Sequence, residues 1–478
     1  MATYKNIYFV GAGGIGMSAL ERYFNENGYK VGGYDKTPSP LTETLIKEGI
    51  QIHFEDNIDA VDAAFKDPEQ TLVCYTPAIP KDHGELCFFQ QNGFEVVKRS
   101  KLLGIITQTK RGLCFSGTHG KTTTSSMAAH LLKQSHVDCN AFLGGILKPY
   151  DSNLMLSARN ADGQEKSDLT VIEADEFDRS FHTLSPYMAV ITSCDPDHLD
   201  IYGTEEAYRE SFAHFVSLVR PGGFLLKHKG VNVDCSRLNS EARYAEYSST
   251  EEADYYATNI RIGGGTILFD YVARAEGITM RDLEVGVPVP INVDNAVASL
   301  TIAMLCGCEE EELRAALKSF GGAKRRFDFY IKRQDLVLMD DYAHHPDEIR
   351  ASLTSVARLF EGRKVTVCFQ PHLYSRTHDL VDGFASALSI PQRTILLPIY
   401  PAREQPIPGV TSEWLLGKIQ DTDKALGKND AERYIKTKDE LVGHLTELRK
   451  KGDLDVVVMM GAGVDIERLV APAKAALE

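Results

Sequence analysis

The segment Gly117-Thr118-His119-Gly120-Lys121-Thr122-Thr123-Thr124 has the residue types and spacing of a loop that holds phosphate. It follows an apolar, strand-like run at 113–115 and precedes a helical pattern with Met127, Ala128, Leu131 and Leu132 on one face. The amides of 117–121 can cradle phosphate oxygens, the Lys121 ammonium can neutralise the terminal phosphates, and the Thr122 hydroxyl can ligate Mg2+. The long form G-x-x-x-x-G-K-[ST] would need Gly at 115, where this chain has Phe115, so this is the shorter G-x-x-G-K-[ST]. A lysine at a helix start opposes the helix dipole unless an anion is present, which points to a bound polyphosphate such as ATP.

Metal ligation by Thr122 needs partners from other strand ends. The run 169–172 delivers Glu173-Ala174-Asp175-Glu176, and the run 188–192 delivers Ser193-Cys194-Asp195-Pro196-Asp197-His198. Thr122, Glu173 and His198 make a hydroxyl, carboxylate and imidazole set, small enough for hard cations that keep several waters and bridge phosphate oxygens.

A second glycine turn, Gly11-Ala12-Gly13-Gly14-Ile15-Gly16, follows a strand-like run at 7–10 and precedes a helical pattern at 17–24. Such a turn brings backbone amides to a diphosphate at a helix N-terminus, and Asp35 stands where a ribose-binding acid is expected. NAD and UDP-sugars share a diphosphate, so the turn specifies a phosphate site and not a reaction. A nicotinamide dehydrogenase would use this turn and Asp35 but leave the Lys121 loop and Glu173 idle. A non-catalytic nucleotide-binding module would use both loops and nothing further on.

The elements that position these loops are strand-like runs alternating with helical patterns, which predicts an α/β fold with parallel sheets. At 478 residues, about three domains are expected. Boundaries are placed near 110 and 323, giving 1–110 Rossmann-like, 111–323 P-loop ATPase-like, and 324–478 Rossmann-like. A β-rich section is expected at 221–290, with a glycine turn at Gly263-Gly264-Gly265. The net charge of −15 opposes attraction to nucleic acid. No apolar run reaches the roughly 20 residues that span a bilayer, and residues 1–6 carry no leader pattern, so a cytoplasmic location is expected. The nine cysteines sit mostly in apolar runs and read as reduced core residues.

Taken together, these motifs resemble the Mur ligases, ATP-dependent amide-bond enzymes of peptidoglycan synthesis, and the likeness runs from Gly11 to Asp465. Asp340-Asp341-Tyr342-Ala343-His344-His345-Pro346, Gln370-Pro371-His372 and Tyr400-Pro401-Ala402-Arg403-Glu404 extend it into the last third. The resemblance implies a first domain that binds the UDP part of UDP-N-acetylmuramate through Gly11, Gly13, Gly14, Ile15, Gly16 and Asp35. It implies a central domain for MgATP and a third that closes over both and helps hold an amino acid, L-alanine in the nearest branch. A branch that attaches recycled murein peptide shares the same ATP machinery.

By the same resemblance Gly117, Thr118, His119, Gly120, Lys121, Thr122 and Thr123 contact ATP, Asn292 and Asn295 the adenine, Arg326 the nucleotide after a hinge, and Asp341 the ribose. His344 and Arg376 match residues near the amino acid. His344 is assigned as the general base because an imidazole titrates in the right range, although His344 and His345 also stand where a helix would start. The chain departs from many relatives at three places. Ile291 replaces the histidine of P-G-x-H-N-x-x-N, Leu373 replaces the first arginine of H-R-Y-[ST]-R, and Val464 lengthens G-A-G-D-I by one residue.

Overall fold

The computed structural model describes residues 4–76, 79–196, 199–402 and 404–478. Among these the strands form three sheets, one in each expected domain. The first holds five parallel strands in the order Gln51–His53, Lys30–Tyr34, Asn6–Val10, Thr71–Tyr75, Glu95–Lys98. Asn6–Val10 is central and buried on both faces, as its unbroken apolar run requires.

The second sheet is built around Arg111–Ser116. Leu169–Glu173 and Met188–Ile191 flank it, both parallel, with Phe115 opposite Glu173 and Ser116 opposite Ile191. Asn140–Leu147 continues one side, and Phe224–His228 and Arg243–Ser248 the other. The expected β-rich section is therefore partly a continuation of the parallel sheet: Tyr255–Gly263 still pairs parallel, with Arg243–Ser248, and Thr266–Ala273 and Ile278–Glu284 follow it in order. The third sheet runs Asp328–Lys332, Val337–Asp341, Val456–Met460, Val365–Phe369, Arg393–Leu396, Glu432–Ile435, parallel except for the first pair.

The chain packs into two compact units. The first unit is Met1–Thr258, Asp270–Leu283 and Val293–Phe320; the second is Asn259–Phe269, Glu284–Asn292 and Gly321–Glu478. The first sheet and most of the second share the first unit, where helix Ile15–Glu26 packs on strand Asn140–Leu147, with Tyr23 edge-on to Phe142 at 5.2 Å, in one continuous apolar core. The second unit has its own core, around Leu338, Cys368, Ile395, Leu445 and Val457. Among the described residues no helix is long and apolar enough to cross a membrane.

Candidate active site

The phosphate loop sits at the C-terminal end of the central strand Arg111–Ser116, where an open parallel sheet leaves a crevice for ligands. Gly120 starts helix Lys121–Lys133 at φ 84°, a left-handed turn that a Cβ would strain, and no side chain caps the first turn. The amides at that helix start are thus presented to an anion. The loop is stitched to the next strand end: the Thr118 hydroxyl donates to Asp195 O (2.6 Å) and shares a hydrogen bond with Tyr208 Oη (2.8 Å), and the His119 N–H donates to Ser193 Oγ (2.7 Å). The His119 amide is thus engaged by Ser193.

Lys121 was read as needing an anion, and the fold supplies one. Its Nζ lies 2.8 Å from the Glu176 carboxylate and donates to Gly117 O at 2.6 Å. Glu176 is buried, and burial raises its carboxyl above the ordinary range, partly offset by Lys121. Sequence reasoning passed over Glu176 because only the three-residue turn beyond Glu173 brings it under the loop.

Thr122 Oγ1 donates to Glu173 Oε1 (2.9 Å), and Glu173 Oε2 accepts from the Gly144 N–H (3.0 Å). The hydroxyl and carboxylate converge where a hard cation would sit and both are oxygen donors, so the set fits Mg2+. His198, the third expected ligand, lies outside the described residues. Thr123 is half-buried in the same helix turn. Asn295 Oδ1 accepts from the buried Thr124 hydroxyl (2.9 Å), tying Asn295 to the phosphate-loop helix.

A cavity of about 390 Å³ in the first unit runs from the first glycine turn to Glu173. Gly14, Gly16, Met17, Thr76 and Arg99 line one part, and Gly144, Glu173 and Asp175 another. Asp35 Oδ2 accepts from the Gly13 N–H at 2.6 Å and holds the turn in shape. Gly11 passes its N–H to Tyr34 O (2.8 Å), and the side chain of Ile15 lies outside what is described. A Cβ on Gly16 would overlap Nη1 of Arg99, so this glycine makes room for a guanidinium as much as for a ligand. Arg99, half-buried at the start of helix Arg99–Thr109, adds a positive charge to the cavity that sequence spacing did not reveal.

In the second unit His344 and Arg376 belong to one cluster with His372. The His344 and His372 rings are 6.3 Å apart, and His372 stacks on Tyr400 at 5.7 Å. The His344 Nδ1–H donates to Tyr342 O (3.1 Å), which leaves Nε2 as the basic atom, and burial lowers its pKa so that the ring is neutral near pH 7. His345 takes the other role, capping helix Pro346–Leu359 in a box with Glu348. Among the described residues Arg376 Nη1 and His372 Nδ1 are buried without hydrogen-bond partners.

Two of the expected nucleotide positions, Asp341 and Asn292, are buried. The Asp341 carboxylate accepts from Ser352 Oγ (2.6 Å) and the Ala343 N–H (3.0 Å), and burial raises its pKa. Asn292 Nδ2 donates to Val287 O (3.0 Å). The arginine pair is not a loose hinge: Arg325 binds Asp340, Glu467 and Gly461 O and stacks over Tyr342, while Arg326 is exposed. The departures fall at element starts: Ile291 and Val464 are exposed first residues of helices, and Leu373 begins Tyr374–Asp379 at φ 71°.

Residues 6–111 match the Mur ligase family, catalytic domain; 115–303 match the Mur ligase middle domain; 325–463 match the Mur ligase, glutamate ligase domain. The chain is 58% identical over 468 residues to the UDP-N-acetylmuramate--L-alanine ligase of Parabacteroides distasonis, covering 98% of this chain and 96% of that one. It is 52% identical over 476 residues to the ligase of the same name from Porphyromonas gingivalis strain W83, covering 99% of each. Among solved structures, the UDP-N-acetylmuramate-alanine ligase of Thermotoga maritima has a TM-score of 0.74 at 26% identity, over 98% of this chain and 99% of that one. A murein peptide ligase of Psychrobacter arcticus shares the fold, with a TM-score of 0.61 at 22% identity over 99% and 98%.

Proposed function

Because the chain belongs to the Mur ligase family, we propose that it joins L-alanine to UDP-N-acetylmuramate in the cytoplasm, splitting ATP to ADP and phosphate, as a step of peptidoglycan precursor synthesis. The observation that carries this reading is the cavity that runs from the glycine turn to Glu173, the carboxylate bonded to Thr122 of the phosphate loop. A UDP-sugar acid laid along it places its diphosphate against Gly11 to Gly16 and Arg99. Its carboxylate then lies at the Glu173 end, beside the loop that presents the γ-phosphate.

In this reading residues 1–110 take the UDP part, 111–323 take ATP, and 324–478 supply the amino-acid cluster and the nucleotide contacts of Arg326 and Asp341. Thr122 and Glu173, with His198, would hold Mg2+, which would supply neutralising charge to the phosphate oxygens. Lys121 and the amides at the start of its helix stabilise the charge that builds as the substrate carboxylate takes the γ-phosphoryl group and ADP leaves. Arg376 holds the carboxylate of the incoming amino acid. His344 Nε2 accepts the proton from its ammonium group, and the freed amine attacks the acyl phosphate carbon and expels phosphate.

The test is ADP release from MgATP with UDP-N-acetylmuramate, with and without L-alanine. Release that requires both substrates is the expected result. Release supported by a murein tripeptide and not by alanine would move the chain to the recycling branch, and no release with either would reject a ligase.

A further inference from the structure

An ammonium group has three N–H bonds, and the structure gives each of those on Lys121 an acceptor inside the protein. Nζ donates to Gly117 O at 2.6 Å, to Glu176 Oε1 at 2.8 Å, and at the long distance of 3.4 Å to Thr118 O. Two of the three acceptors are carbonyls of the phosphate loop itself and travel with the lysine. The third is a carboxylate delivered by the turn after another strand.

Glu176 is fixed there by the fold. Its side chain is 1% exposed, its carbonyl oxygen accepts from Tyr202 Oη at 2.5 Å, and the Arg179 N–H donates to the same carbonyl at 3.0 Å. Asp178 and Arg179, directly behind it, are both held at positive φ, 50° and 54°, so the segment carries backbone strain that surrounding contacts must offset. Both carboxylate oxygens lie 2.8 Å from the ammonium nitrogen, which is the charged partner of this buried carboxylate.

A nucleotide phosphate bound at Gly120 and Lys121 needs an N–H of that ammonium, and it meets the negative charge of Glu176 on the same group. We propose that Glu176 is a placeholder for phosphate: it holds Lys121 ordered over the empty loop and surrenders it to the incoming nucleotide, so that it sets nucleotide affinity and release. Glu176 is thus a positioning residue that acts through Lys121. The inference rests on the reading of 117–124 as the nucleotide's phosphate loop.

The test is a double-mutant cycle on the full-length protein, reading MgADP affinity by calorimetry and KM for each substrate. Glu176→Gln keeps the shape and one acceptor but removes the competing charge. It is expected to tighten MgADP about 5-fold to 10-fold and lower KM for MgATP, leaving KM for the UDP-sugar unchanged. In a Lys121→Met background the same change is expected to alter affinity by less than about 2-fold, because the competition runs through the ammonium. Glu176→Asp draws the carboxylate back by one methylene and is expected to give an intermediate gain, which carries the test where Glu176→Gln does not fold. Unchanged or weaker MgADP binding in a folded Glu176→Gln protein overturns the proposal, as does an equal gain with and without Lys121. If Lys121→Met alone leaves MgADP affinity untouched, the phosphate-loop reading itself falls, and the placeholder with it.

Discussion

The Thr122 hydroxyl and the Glu173 carboxylate meet at 2.9 Å, joining the first turn after the phosphate loop to the end of the neighbouring strand. The contact follows from topology: Arg111–Ser116 and Leu169–Glu173 are adjacent and parallel, with Phe115 opposite Glu173, so their C-terminal ends open into one crevice. Replacing Glu173 by Gln keeps the size and the hydrogen bond from Thr122 but removes a charge from the metal set. We expect kcat to fall about 100-fold or more, the Mg2+ concentration for half-maximal rate to rise, and KM for the UDP-sugar to stay close to its starting value. A Mg2+ titration of ADP release checks this, and an unchanged metal requirement would remove Glu173 from the metal set.

Gly16 offers a second test because its neighbour is identified. A Cβ at that position overlaps Nη1 of Arg99, and Arg99 lines the cavity beside Gly14 and Thr76. Gly16→Ala should push the guanidinium aside and raise KM for UDP-N-acetylmuramate about 10-fold, with KM for ATP little changed. Arg99→Ala should raise the same constant, and the two changes together should be less than additive because they act on one contact. Kinetics of the two single variants and the double variant, varying one substrate at a time, decide it.

Arg376 makes a matching prediction in the second unit. Its Nη1 is buried with no acceptor among the described residues, an arrangement that is costly unless a ligand completes it. Arg376→Lys loses the planar fork while keeping the charge, so KM for L-alanine should rise about 10-fold or more and KM for ATP should hold. A variant whose alanine KM is unaltered would assign Arg376 to packing.

The parts of the fold written in local pattern were legible in the sequence. The strand, glycine-turn, helix sequences at 7–24 and 113–132 announced strands inside the first two sheets, and Glu173 could be placed because it ends an apolar run. What stayed hidden was partnership across distance. Glu176 and Lys121 are 55 positions apart, and Gly16 and Arg99 are 83 apart, so no spacing rule links either pair. The sequence singled out His344 as the base but left both His344 and His345 as residues that could start the helix. The backbone decides: His345 caps the helix, and His344 turns to Tyr342 with its second nitrogen left for chemistry. Arg325 was not singled out, because two of its acceptors, Gly461 O and Glu467, lie 136 and 142 positions away.

Glu21 yields a stability prediction whose sign is fixed by its surroundings. It lies in helix Ile15–Glu26, fully buried, and neither carboxylate oxygen has a hydrogen-bond partner among the described residues. Burial raises its pKa well above the ordinary value; Arg22 works against this, and Asp35 and Glu48 reinforce it. The folded state therefore binds this proton more tightly than the unfolded chain does, so stability is full below the unfolded value of about 4.3 and is lost as pH rises through the folded one. Glu21→Met, similar in volume and a good helix former, removes the ionisable group without opening a cavity. At pH 8 the variant should be more stable by about 1–3 kcal/mol, and at pH 5 the difference should shrink. Thermal unfolding followed by circular dichroism at both pH values measures it. A variant less stable than the parent at pH 8, or a gain that does not change with pH, would mean that the Glu21 carboxyl is satisfied in solution by a partner such as an internal water.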